Sequence, residues 1–331
     1  GAVGESIVLS LTKYMGGIVS FEGDHITAKT GTFYRDFEKV AKKKGVLFPS
    51  YPASKDICTF GGIVNNNSGG EKSLVYGKTE RYVEEVTMIL SDGNEYTFKP
   101  VSKRELNSKM RQKDAEGEIY RKMYALLEKN KKVISEAKPK VSKNSAGYFL
   151  WNVWDEKRKV FDLTKLIVGA QGTFGIMTEA RIRLVQPKTH SAVLVLFLRD
   201  LDSLGDIVNK VLKGKPESFE SYDDHTLKLA LRFFFDFVKL MGGKSMFSLA
   251  WRFLPEMKML VTGGFPKLIL LAEFTADSKK EAIEKAKSAK ISLEEQDISM
   301  RIAKAPADIQ KYFTIRRQSF NLLRHHIKKK K

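Results

Sequence analysis

Apolar and polar positions along the chain fall into two successive rhythms. In the first, Gly23-Asp24 ends one run and His25 to Lys29 reads as a short strand. Thr32 is placed to cap a helix whose Phe33, Phe37 and Val40 share one face before Gly45 closes it. Val83 to Leu90 predicts a strand, Asp92-Gly93 a hairpin turn and Glu95 to Phe98 the returning strand. Residues 101–143 change character, with an amphipathic stripe of Ile119, Met123, Leu126 and Leu127 among 13 Lys/Arg and 6 Asp/Glu. They predict an inserted or peripheral helical segment whose basic face is a solvated surface. An apolar run at Leu166 to Val168, a glycine cluster and a strand at Ala180 to Val185 follow, and Gln186-Pro187 breaks the pattern. The domain boundary is expected there, giving domains 1–187 and 188–331.

The second rhythm alternates strand and helix. Ala192 to Leu198 reads as a strand, with Leu204, Ile207, Val208, Val211 and Leu212 at helical spacing after it. Glu217 to Tyr222 is a short strand, Thr226 to Leu240 a Phe-rich helix and Leu268 to Phe274 a continuous apolar strand. A charged helix from Ser278 to Lys290, a strand near Ile298 to Ile302 and a helix from Ala307 to about His325 complete the chain. The alternation predicts an α+β domain, an antiparallel or mixed sheet with helices on one face.

Composition narrows the classes. The 331 residues include 42% hydrophobic and 11% aromatic side chains, enough for large cores rather than disorder. One cysteine supports neither a disulfide framework nor a multi-thiolate metal site. No apolar run reaches the roughly 18 residues of a membrane span. The formal net charge of +19 attracts anions in general, so nucleic acid, acidic lipid surfaces and anionic substrates all fit it. The start at Gly1 and the terminal Lys328 to Lys331 do not resemble natural domain ends, and no targeting signal is read from them.

Two glycine-rich segments between strands carry residues with little packing value. The first runs from Pro52-Ala53-Ser54 through Thr59-Phe60-Gly61-Gly62-Ile63-Val64-Asn65-Asn66-Asn67-Ser68-Gly69-Gly70 to Tyr76-Gly77-Lys78-Thr79. The second is Gly169-Ala170-Gln171-Gly172-Thr173-Phe174-Gly175-Ile176-Met177-Thr178. Paired glycines let backbone N–H groups approach a phosphate, and Asn and Ser add donors; two long turns are the alternative for either segment alone.

Taken together, the segments resemble the PCMH-type FAD-binding family of the vanillyl-alcohol oxidase superfamily, and within it the FAD-linked D-lactate dehydrogenases and glycolate oxidase flavoproteins. The residues that carry the likeness are Pro52, Ser54, Thr59, Gly61, Gly62, Gly69, Tyr76, Gly77, Asp92 and Gly93, then Gly169, Gly172, Thr173, Gly175, Ile176, Thr178 and Glu179. Lys143-Asn144, Gly147-Tyr148 and Leu150 resemble the stretch this family places between them. The resemblance implies an α+β flavin domain followed by an α+β, ferredoxin-like cap that carries the substrate side. It implies FAD contacts from Pro52, Ser54, Thr59, Gly61, Gly62, Asn65, Asn66, Ser68, Gly69, Tyr76, Gly77, Gly172, Thr173, Gly175, Ile176 and Thr178. Gly1 to Glu5 look like the end of a first pyrophosphate loop, most of which is expected to precede Gly1.

Tyr312-Phe313-Thr314-Ile315-Arg316-Arg317 resembles the family's aromatic-x-x-Arg motif, which assigns Arg316 to the substrate carboxylate; a planar guanidinium binds a carboxylate bidentately. A surface arginine of a basic chain is the plain alternative. The family's catalytic His, with its metal-binding His and Glu, is expected downstream of this chain, and no metal ligands are assigned within it. His325 and His326 read as helix-end charge, and His25, His190 and His225 as structural. Cys58 reads as buried filler rather than a flavin attachment point, and Glu220 and Glu273 as paired or edge carboxylates rather than groups facing a flavin. Phe233-Phe234-Phe235 reads as core or cap surface.

The implied activity is oxidation of a D-2-hydroxy acid of lactate or glycolate type to the 2-oxo acid, with electrons leaving FAD for a quinone, a cytochrome or another carrier. The implied location is cytoplasmic, with peripheral association at the inner face of the membrane. Action of the same fold on another alcohol or an ether-lipid precursor is one alternative. A basic protein that binds nucleic acid or an anionic surface without redox chemistry is the other, and nucleic acid is the less favoured partner.

Overall fold

A computed structural model of the chain describes residues 4, 5, 7–141, 144–232 and 264–329, with 318–329 as backbone. Gly1 to Val3, Lys143, Phe233 to Phe235, the second half of the Thr226–Leu240 helix and the side chains of His325 and His326 lie outside the described residues. The chain divides into two compact units, Gly1–Pro187 and Lys188–Lys331.

In the first unit β1 (Ile18–Glu22) and β2 (His25–Lys29) form a hairpin, followed by α1 (Tyr34–Lys43), α2 (Phe60–Asn65) and α3 (Ser73–Tyr76). β3 (Val83–Ile89) and β4 (Glu95–Phe98) form a second hairpin, and β5 (Val101–Ser102) leads to α4 (Lys103–Arg111), α5 (Ala115–Lys129) and α6 (Lys131–Ala137). β6 (Trp154–Asp155), β7 (Val160–Phe161), α7 (Thr164–Ile167) and β8 (Ile176–Arg183) complete it. The main sheet has the order β1-β2-β8-β3-β4, all antiparallel, so the last strand is inserted between the two hairpins. Ile26, Ala28, Val86, Ala180 and Ile182 point into one core with Phe37 of α1 and Phe60, Ile63 and Val64 of α2.

Three local expectations change here. Thr32 does not cap α1: its hydroxyl donates to Lys29 O at 2.6 Å and accepts from Gly17 N at 3.0 Å, tying the end of β2 to the turn before β1. β8 starts at Ile176 rather than Ala180, because pairing with β3 continues as far as Ile176 opposite Ile89. The helical segment 101–143 is not peripheral throughout: Leu106, Tyr120 and Leu127 join the main core, where Phe161 is ringed by Tyr120, Tyr124 and Trp154 at centroid distances of 5.9, 6.3 and 6.3 Å. A Ser102–Glu105 capping box starts α4, and the Asp114 side chain accepts from Gly117 N to start α5.

The second unit runs β9 (His190–Leu198), α8 (Leu204–Lys213), β10 (Ser218–Asp223), α9 (Asp224–Arg232), β11 (Leu268–Ala276), α10 (Lys279–Ile291), β12 (Ser299–Ala303) and α11 (Pro306–Lys329). Its antiparallel sheet has the order β10-β11-β9-β12, which with the two β-α-β crossovers is ferredoxin-like. Helices cover both faces, not one. Ala192, Leu194 and Leu196 pack against Ile207 and Val211 of α8 and Ala282 and Ala286 of α10. Val193, Val195 and Phe197 pack against Leu227 of α9 and Tyr312, Phe313 and Ile315 of α11. The uninterrupted apolar runs of β9 and β11 have this physical cause, since a strand buried on both faces has no polar alternate positions.

Candidate functional site

The two glycine segments are knitted together in the first unit. Gly169 N donates to Val64 O at 3.1 Å, Gln171 N to Asn65 O at 2.9 Å, and the Gln171 amide to Asn66 Oδ1 at 2.9 Å. The first segment is not one long loop. Thr59 to Asn65 is a capped helical turn in which the Thr59 hydroxyl accepts from Gly62 N, because Phe60, Ile63 and Val64 bury one face of it. Behind it, Gly61 N and Phe60 N donate to Thr30 O and Thr32 O at 2.8 Å each, and Thr30 in turn donates its hydroxyl to Met177 O and its N–H to Thr178 O at the start of β8. The helix is therefore locked to the end of β2 and the start of β8.

The glycines of the motif fall into two groups. A Cβ on Gly61 would stand 2.5 Å from Thr30 Cβ, on Gly70 2.2 Å from Tyr51 O, and on Gly175 2.3 Å from Ile89 O. On Gly69 and Gly77 it would meet Ser73 Oγ at 2.6 Å and Arg81 Nε at 2.4 Å. These glycines serve the approach of the chain to itself. Gly172, at φ +77°, has nothing within 4 Å of its Cβ direction, and Gly62 meets only Thr59 Oγ1 at 3.2 Å; both are exposed. Bare glycine backbone at two open positions on adjoining segments suits the close approach of a ligand.

The other expected contact residues are spread around this centre. Pro52 and Ser54 begin a turn in which Ser54 O accepts from Ile57 N and Cys58 N, with the Ser54 side chain exposed. Asn65 Nδ2 returns to Gly61 O, Asn66 Nδ2 to Ser68 Oγ, and Ser68 O accepts from the Thr79 N–H and hydroxyl. Tyr76 O accepts from Tyr82 OH, and Gly77 O from Ser50 Oγ. Thr178 is buried with its hydroxyl on Thr87 O and Glu95 Oε1, whereas Ile176 is exposed. Thr173 shares a 2.9 Å hydrogen bond with Tyr148 OH, and the Tyr148 and Phe174 rings are 4.9 Å apart. Lys78 Nζ donates to Asn144 O and Ser145 Oγ, so the 144–150 stretch is brought against both glycine segments. Lys78, Gln171 and Phe174 are participants that the motif pattern did not single out. An open cleft of about 640 Å³ borders Gly77 and Lys78, with Arg81, Lys165, Trp151 and Trp154 among its walls.

Cys58 is half-buried, and burial pushes its thiol up, which disfavours the thiolate that covalent chemistry needs. His25 holds Asp24 and Glu84 at 2.7 and 2.9 Å through its two ring nitrogens, and His190 bonds Thr189 Oγ1. Asp223, Asp224 and His225 cluster closely enough to share an ion, but Asp223 accepts from Thr226 N and Asp224 from Lys228.

In the second unit Arg316 stands on α11 four residues after buried Tyr312. Its Nε lies 2.6 Å from Glu220 Oε2 on β10, an ion pair between the helix and the edge strand. Glu273, the other strand carboxylate, accepts from Ser218 Oγ at 3.1 Å.

Residues 1–99 match a family model described as an FAD binding domain. That match lies within the first unit. Over 94% of the chain the fold is similar to that of alkyldihydroxyacetonephosphate synthase, with a TM-score of 0.60 at 16% identity and 45% of that chain covered. D-2-hydroxyglutarate dehydrogenase of Pseudomonas putida is 28% identical over 231 residues, covering 69% of this chain and 23% of the relative. Glycolate oxidase subunit GlcD of Bacillus subtilis is 28% identical over 228 residues, covering 67% of this chain and 37% of the relative. D-lactate dehydrogenase of Anaerostipes hadrus is 26% identical over 197 residues, covering 59% and 30%. The chain thus spans about a quarter of the length of the Pseudomonas putida and Escherichia coli D-2-hydroxyglutarate dehydrogenases and about a third of two others it matches. Among the described residues no helix is long and apolar enough to cross a membrane.

Proposed function

We propose that the chain is part of an FAD-dependent oxidoreductase that converts a D-2-hydroxy acid into the 2-oxo acid, in two domains, 1–187 for the flavin and 188–331 for the substrate. The observation that carries the reading is the joining of the two glycine segments around the open positions Gly62 and Gly172, on a domain that matches an FAD-binding model. Gly62, Asn66, Gly172 and Thr173 would lie along the cofactor, with Pro52, Ser54 and Ile176 at its edges. Gly61, Gly69, Gly77 and Gly175 would shape that surface from behind.

Bound FAD supplies a two-electron acceptor for the hydride leaving C2 of the substrate. Arg316 would hold the carboxylate and set the direction of C2, and the hydroxyl proton would go to a His beyond the arginine motif. D-lactate, glycolate and D-2-hydroxyglutarate are the substrates to try first, given the names of the relatives. A quinone, a cytochrome or another carrier would take the electrons onward, at an inner membrane face or in the cytoplasm.

The test is the absorption spectrum of the full-length protein, recorded anaerobically before and after each of the three acids. A yellow protein bleached by one of them is the expected result. A flavin that none of them reduces overturns the substrate class, and a colourless protein that binds DNA with steep salt dependence overturns the redox reading altogether.

A further inference from the structure

We propose that a basic cleft at the seam between the two sheets of the first unit is a binding site for a compact polyanion of about three negative charges, borne on phosphate or carboxylate groups. The inference is independent of the flavin reading.

The cleft has a volume of about 510 Å³ and lies where β3 and β8 of the five-stranded sheet come near β7 of the small sheet β5-β7-β6. Arg81, Lys99, Arg158, Lys165, Arg181 and Arg183 line it against the carboxylates of Glu84, Glu85 and Asp162, an excess of three positive charges. Each carboxylate is already set against a cation. Glu84 lies 3.9 Å from Arg183 Nε, Asp162 lies 3.6 Å from Lys165 Nζ, and Glu85 stands opposite Arg181 in the β3–β8 register. Arg81, Lys99 and Arg158 remain, and among the described residues none of the three has an ion-pair partner. They come from separate places in the fold: the turn before β3, the residue after β4 and the β6–β7 turn. Two are held in place without an acid. The Arg81 stem lies over Gly77, where an added Cβ would collide with its Cδ, Nε and Cζ. The turn that carries Arg158 is closed by Asp155 Oδ1, which accepts from Lys157 N and Arg158 N at 3.0 Å each. Like charges gathered around one concavity repel one another, and a bound anion relieves that repulsion.

The walls select the occupant. Among the described residues no aromatic ring lines this cleft, unlike its neighbour with Trp151 and Trp154, so a base has nothing to stack on. Recognition rests on charge and on the guanidinium forks of Arg81 and Arg158, which suit phosphate and carboxylate alike. The volume is that of a small-molecule site. Arg183 stands at the far end of β8 from the second glycine turn, roughly 20 Å of strand away.

The test uses the full-length protein as purified, with pyrophosphate and citrate as probes and their dissociation constants read by calorimetry. Both should bind, more weakly as salt is raised. Arg81→Gln, Lys99→Gln and Arg158→Gln each change an exposed side chain and should keep the wild-type melting temperature, while each raises Kd by about three- to tenfold, the scale of one lost charge-assisted contact. The triple variant should lose measurable binding. Lys132→Gln, on α6 with its side chain 88% exposed, removes the same charge outside the cleft and should leave Kd unchanged. The tighter probe names the ligand group, pyrophosphate a phosphate and citrate a carboxylate, and either upholds the site. Binding of neither probe, or a Kd unchanged in all three cleft variants, overturns it. Equal weakening in Lys132→Gln and in the cleft variants also overturns it, by assigning anion binding to net charge alone. Duplex DNA that binds more tightly than both probes, and is weakened by the same three changes, overturns the small-ligand assignment in favour of a nucleic-acid surface. A colourless protein, which would sink the flavin reading, alters none of these outcomes.

Discussion

Gly175→Ala and Gly172→Ala form a matched pair that separates what the second glycine segment does for the fold from what it offers to a ligand. Both residues have positive φ, +154° and +77°, and stand three positions apart in one turn. At Gly175 an added Cβ would lie 2.3 Å from Ile89 O and 3.3 Å from Ile89 C, atoms of the strand that pairs with Ile176. That backbone cannot retreat without opening the β3–β8 ladder, so the clash adds roughly 1–3 kcal/mol of overpacking to roughly 1–3 kcal/mol of backbone strain. At Gly172 nothing lies within 4 Å, and only the left-handed backbone term remains, about 1–2 kcal/mol. The gap between the variants should be about 2 kcal/mol, or about 4–8 °C in melting temperature for a unit of this size. Thermal unfolding followed by circular dichroism, at equal flavin loading because a bound ligand shifts the midpoint, measures it. Equal midpoints for the two variants would refute the argument. The functional counterpart runs the other way: at the exposed position, Gly172→Ala should weaken FAD retention while the fold survives.

Two further outcomes follow from the packing and the charges of the first unit. Phe161→Ala, at a fully buried site ringed by three aromatic side chains, should cost about 3–5 kcal/mol in urea unfolding and make α5 more open to proteolysis, whereas an unaltered cleavage pattern would mean that α5 is held elsewhere. Burial raises the pKa of Glu38, but the hydrogen bond and charge of Lys55, with Lys42 beside it, outweigh this and hold the carboxyl below its ordinary range. A depressed folded-state value contributes stability above the unfolded carboxylate range and loses it as pH falls through the folded value, so Lys55→Met should flatten the acid limb of the stability curve; an acid limb as steep as that of wild type sinks the assignment.

Much of this architecture is encoded locally. The period-two runs of β2 and β4, the helical spacing of α8 and the glycine patterns can be read from neighbouring residues, because strand and helix faces repeat every two or 3.6 positions. What lies across the molecule cannot. Nothing near Gly61, Gly70 or Gly175 in sequence says that Thr30, Tyr51 O and Ile89 O will press against them, so a motif that reads uniformly as a cofactor loop is divided by the tertiary structure into glycines that serve close packing and glycines left open. Thr32 looks like a helix cap until the turn at Gly17 takes its hydroxyl. The apolar run of β9 marks a strand, but only the placement of α8 and α10 on one face and α9 and α11 on the other makes it a central one. Arg316 is visible as a motif residue, and Glu220 as one carboxylate among many; pairing them took the docking of α11 on β10. Local pattern specifies which face a residue presents, and the long-range pairing of strands and helices decides what that face meets.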